Sequence, residues 1–139
     1  MALQDINFSI WKHWGIRNSL KNINNPGVYL LAHFDRPPQG NANPLEKDII
    51  YMGETCDQTL RERLNSFNRC GFNGKKGHSG GVSYWKKYKG KREENLYVSI
   101  FSIPSKWGNL RSLYIRYLER KLILDYALKW GIAPEINKK

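Results

Sequence analysis

Apolar residues along the chain mark short strands first and helices afterwards. Gly27-Val28-Tyr29-Leu30-Leu31-Ala32-His33-Phe34 is β-branched and aromatic, and Asp48-Ile49-Ile50-Tyr51-Met52-Gly53 repeats that character. Between them runs a loop, Asp35 to Lys47, carrying Pro37, Pro38, Gly40 and Pro44. The pair predicts a hairpin with an extended connection. Leu60, Leu64 and Phe67 then share one face of a helix that Asp57 can cap. Residues 71–95 hold six glycines and a run of lysines and are expected to be loop. Leu96 to Ile103 predicts a third strand, ended by Pro104. Asn109 to about Trp130 is the strongest helical stretch, with Gly131 at its C-terminal end. The order β-β-α-β-α implies an α+β domain: a small antiparallel three-stranded sheet flanked by helices.

Asn24-Asn25-Pro26 stops whatever precedes it, so residues 1–25 read as an N-terminal arm and 26–139 as the domain. In the arm, Trp11-Lys12-His13-Trp14 either anchors to the core or offers a second contact surface. A length of 139 residues suits one domain with a packed core, and 40% hydrophobic residues exclude a disordered chain. The cysteines, Cys56 and Cys70, lie in no CxxC pair, and with His78 they have no zinc-type spacing. No basic and apolar leader opens the chain, and no apolar run is long enough to cross a membrane. These features predict a cytoplasmic protein with no membrane partner.

Charge sharpens the choice of partner. With 23 basic against 12 acidic residues, the net charge of +11 favours a polyanion, nucleic acid first among them. Much of the excess is concentrated. Between Arg69 and Arg92, lysines alternate with Phe72, Tyr84, Trp85 and Tyr88. Basic side chains neutralise phosphates, while aromatic faces stack on exposed bases. Lys75, Lys76, Lys86, Lys87, Tyr84 and Trp85 are therefore candidate nucleic-acid contacts. The alternative is a solvated loop that is merely basic.

Two short strings share a form, Gly27-Val28-Tyr29 and Tyr51-Met52-Gly53, each setting a strand tyrosine near a glycine. Alone, a strand tyrosine is a packing residue. Downstream, however, come Leu60-Arg61-Glu62-Arg63-Leu64, Tyr117-Leu118-Glu119-Arg120-Lys121-Leu122-Ile123 and Pro134-Glu135-Ile136-Asn137. In that order, over about residues 26–137, the chain resembles the GIY-YIG nuclease superfamily. The resemblance implies that Tyr29 and Tyr51 meet at a scissile phosphate, Tyr29 being the usual candidate for deprotonating the attacking water. It implies Arg63 as the catalytic arginine, with Arg61 in reserve if residues are counted straight from Tyr51. It also implies Glu119 as the metal ligand and Asn137 as the terminal asparagine. Phe67 departs from the pattern, standing where the family often has histidine or tyrosine. His78 either supplies the missing polar group or is an exposed loop histidine.

Phosphodiester hydrolysis needs a nucleophile in line, charge neutralisation on the phosphate and help for the leaving oxygen. One carboxylate can hold one divalent ion, Mg²⁺ or alternatively Mn²⁺, completed by water and substrate phosphate. A guanidinium beside the phosphate stabilises the transition-state charge. Glu119 sits among Ile115, Leu122 and Ile123 at helical spacing, costly unless it holds a metal or pairs with Lys121 or Arg116. The expectation is a metal-dependent DNA endonuclease, a homodimer if its role is restriction-like. The other class is a nucleic-acid-binding domain that keeps the fold without turnover.

Overall fold

The computed structural model describes residues 5–137. Its sheet has four antiparallel strands rather than three. Gly27–His33 (β2) lies at the centre, flanked by Ile49–Thr55 (β3) and Leu96–Ser102 (β4), and β4 pairs on its outer side with Lys12–His13 (β1). The three predicted strands are present. The fourth comes from the arm, where two residues are too short to show alternation. Trp11 and Trp14 on either side of β1 are both buried, and Trp14 Nε1 donates to Asn68 Oδ1 at 2.8 Å. Both tryptophans are thus anchors.

The helices correct the sequence reading again. Leu60–Asn73 forms α1, Ser79–Tyr88 forms α2 and Arg111–Trp130 forms α3, giving the order β-β-β-α-α-β-α. The stretch expected to be loop therefore contains the end of α1 and all of α2. Its glycines mark close packing: a Cβ on Gly81 would stand 2.6 Å from Cys70 Cβ. Helix α1 is capped by Thr59, not Asp57. The Thr59 hydroxyl accepts from Glu62 N–H at 3.1 Å, and the Glu62 carboxylate accepts from Thr59 N–H at 2.9 Å. Gly131 closes α3 in the left-handed conformation, φ 82°.

Alternation along the strands separates two cores. Val28, Leu30 and Met52 face α3, packing with Ile115, Leu118 and Leu122. Tyr29, Leu31 and Tyr51 face Leu60, Leu64 and Phe67 of α1 and Tyr84 of α2. Strand β3 is the sheet's open edge, and the C-terminal segment covers it. Ile136 N–H donates to Ile50 O at 2.9 Å. The Asn137 amide pairs with Met52 N–H and C=O, each at 2.9 Å. Among the described residues, no helix is long and apolar enough to cross a membrane.

Candidate active site

Strand register brings the two tyrosines together. Tyr29 pairs with Gly53 and Leu31 with Tyr51, a bulge at Ile50 falling just beyond. The period of two then sets Tyr29 and Tyr51 on one face, ring centroids 6.0 Å apart. Glycine makes the room. A Cβ on Gly53 would stand 2.4 Å from Tyr29 Cζ and 2.8 Å from Tyr51 Cε2, and one on Gly80 would stand 2.5 Å from Tyr51 Cζ. Gly53→Ala should therefore push the tyrosines apart and cost about 1–3 kcal/mol in a urea melt. A loss below roughly 0.5 kcal/mol, the range of a neutral surface change, contradicts this packing.

Two side chains stand behind the pair. Arg63 projects from α1 and acts electrostatically on Tyr29, Tyr51, His78 and Glu119. Arg61, by contrast, turns to the arm, its Nε donating to Asn24 Oδ1 at 2.9 Å. Only Arg63 joins the tyrosines. His78 is the residue that sequence reasoning left most open, and it is no exposed loop histidine. It caps α2 and is fully buried, with Nε2 2.7 Å from Tyr29 Oη and Nδ1 accepting from Gly81 N–H at 3.2 Å. Phe67 meets its ring edge-on, centroids 5.3 Å apart at 89°. The phenyl ring that breaks the motif thus braces an imidazole arriving from another helix.

Glu119 reaches the same place from α3. With Tyr51, Ser79, Gly80, Arg120 and Asn137 it lines a cleft of about 280 Å³ at the β3 edge. Its partner is neither Lys121, which pairs with Asp125 at 2.6 Å, nor Arg116. Arg120 approaches only to 3.9 Å. Burial, and then the field of Glu54, push the Glu119 carboxyl up to about 7, against the pull of Arg120 and Arg63. Burial also holds Tyr29 well above the ordinary tyrosine range. It raises Tyr51 too, Glu119 adding to the rise and Arg63 opposing it. Among the described residues, no three His, Cys, Asp or Glu side chains cluster as a metal site.

The candidate nucleic-acid residues divide. Lys75, Lys76 and Lys86 are exposed beside the site helices, whereas Lys87 is tied to Glu135. Tyr84 is fully buried, its hydroxyl donating to Lys91 O at 3.2 Å, so its ring offers no face for stacking. Trp85 lies against Gly74 and Gly90. Sequence reasoning missed Ser79, Gly80 and Glu54. The run His78-Ser79-Gly80-Gly81 was the available signal, a helix start with glycines where side chains must pass. A larger concavity of about 550 Å³ opens beside His33, Arg92 and Glu135. It holds none of the tyrosine pair, Arg63 or Glu119, and functional weight goes to the smaller cleft, which Tyr51 and Glu119 line together.

Two buried histidines set the acid limit of the fold. Burial lowers His78 to about 3, with Arg63 adding to the effect, and lowers His33 to about 4, with Arg92 adding. Below their ordinary 6.5 the unfolded chain takes up protons that the folded chain refuses. The stability they contribute is present above pH 6.5 and is lost progressively toward pH 3–4. Thermal melts should therefore show Tm falling steeply across that window. A Tm unchanged between pH 7 and pH 4 contradicts neutral burial of these rings.

No family model, curated protein or solved structure matches the chain, so the site rests on its own geometry.

Proposed function

We propose that the chain is a metal-dependent DNA endonuclease with a GIY-YIG-like site, hydrolysing phosphodiester bonds. The observation that carries this is the meeting of Tyr51 and Glu119 in one cleft, with Tyr29 and His78 behind Tyr51 and Arg63 acting electrostatically on all four. These groups come from β2, β3, α1, α2 and α3, and packing alone does not require a carboxylate and a guanidinium to share that interior.

Glu119 fits a divalent cation, Mg²⁺ or Mn²⁺. Its carboxyl is carried into the cleft with a side-chain exposure of 19%, in the field of a second acid, and no guanidinium neutralises it closely. Such an ion supplies neutralisation of phosphate charge and a more acidic bound water. The chain's own groups do the rest. Arg63 is a fixed cation behind the tyrosines and stabilises negative charge growing on them or on a phosphate oxygen. Tyr51 presents a hydroxyl to the cleft. Asn137 fixes the strand segment that carries it. Lys75, Lys76 and Lys86 extend the positive surface along which a phosphate backbone would lie.

A binding-only reading has one observation in its favour: both tyrosines are buried and resist ionisation, leaving no ready base at neutral pH. Plasmid incubation separates the two. The nuclease nicks supercoiled DNA in Mg²⁺ and stops on addition of chelator, whereas a binding domain retards the plasmid and leaves it intact. A restriction-like role entails dimers on symmetric sites, which light scattering with and without DNA would reveal.

A further inference from the structure

We propose that His78 is the positioning residue of the tyrosine pair: it donates its Nε2–H to the Tyr29 hydroxyl and turns that hydroxyl's own proton toward Tyr51 and the cleft. This rests on the nuclease reading and adds a direction to it. The direction follows from the backbone. Gly81 N–H can only donate, and it lies 3.2 Å from Nδ1, which must present a lone pair. A neutral imidazole with Nδ1 bare carries its hydrogen on Nε2, and Nε2 stands 2.7 Å from Tyr29 Oη. His78 therefore cannot accept the Tyr29 proton, since its one lone pair is already used. A second ring proton would break the α2 cap and place a charge beside Arg63.

The ring has no freedom to exchange these roles. It is fully buried, with Phe67 edge-on at 5.3 Å and Tyr51 at 6.1 Å. Tyr29 is itself 1% exposed and does not line the cleft, whereas Tyr51 does. Held from behind by His78, the Tyr29 hydroxyl lies next to Tyr51, ring centroids 6.0 Å apart. Tyr51 is then the tyrosine that meets substrate, and Tyr29 works one step behind it. That reverses the order the family resemblance implies.

The test separates capping from donation. His78→Asn keeps a side-chain acceptor at the cap and is too short to reach Tyr29. It should lose some stability to the space the ring leaves beside Phe67, while at a temperature where both proteins are folded kcat falls on the order of 10- to 100-fold with KM for DNA unchanged. His78→Gln can reach Tyr29 with a donor but caps poorly; it should keep more of kcat and lose stability. Long-range ¹H–¹⁵N NMR of the wild-type ring should find the proton on Nε2. A proton on Nδ1, or full kcat in His78→Asn, overturns the proposal. The NMR measurement needs no turnover, so if the protein binds DNA without cutting it, the tautomer alone upholds or overturns the donor assignment.

Discussion

Replacing Glu119 with glutamine should abolish DNA cleavage, by about a thousandfold or more, and at the same time make the protein more stable above pH 7. The two effects have one cause. Burial beside Glu54 raises the carboxyl from its ordinary 4.5 to about 7, so the folded chain holds that proton more tightly than the unfolded chain does. The favourable contribution is present below 4.5 and is lost as pH rises through 7, where the site must carry an uncompensated charge. Glutamine removes that charge without changing shape. The expected gain is about 1–2 kcal/mol above pH 7, allowing for water at the cleft mouth, and none near pH 4. The proposed metal chemistry needs the charge, and a metal-held phosphate contributes several kcal/mol of transition-state stabilisation in such reactions. Urea melts at two pH values beside nicking rates measure both. A glutamine variant that is less stable at pH 8 contradicts the assignment of Glu119 as a strained site residue.

Arg63→Ala should lower the cleavage rate on the order of 10²- to 10³-fold, the scale for losing one preorganised charge at a developing anion. Arg61→Ala should leave it near wild type. The two arginines are two residues apart on α1, and geometry alone decides between them. Arg63 acts electrostatically on Tyr29, Tyr51, His78 and Glu119, while Arg61 binds Asn24 of the arm. Arg63→Lys should recover little, because a point charge on a flexible stem cannot reproduce the planar fork. Equal rates for the two alanine variants would remove Arg63 from the site.

Much of the fold was legible in the sequence because the strands and the long helix carry their own compositions. β-Branched and aromatic content exposed β2, β3 and β4, and the run from Asn109 to about Trp130 with Gly131 behind it exposed the helix that the structure begins at Arg111. What escaped has physical reasons. Strand β1 is two residues long, and its signal lies in the buried tryptophans on either side. Helix α2 opens on Ser79-Gly80-Gly81, poor helix formers, yet Gly80 and Gly81 are there because Tyr51 and Cys70 occupy the space a Cβ would need. With α2 hidden, His78 could only be read as a loop residue. The site itself was half legible. The ordered tyrosines, arginine and glutamate stood in the sequence, whereas the bracing of His78 by Phe67 and the inward position of Tyr29 required the packing.

The measurement that tests the central claim most directly is nicking of supercoiled plasmid by the wild type and Glu119→Gln side by side, in Mg²⁺ and in chelator. Nicking by the wild type in Mg²⁺ only, with the glutamine variant folded, DNA-binding and inactive, is the predicted result. Equal nicking by both proteins, or binding without nicking by the wild type, would contradict a nuclease site built on Glu119.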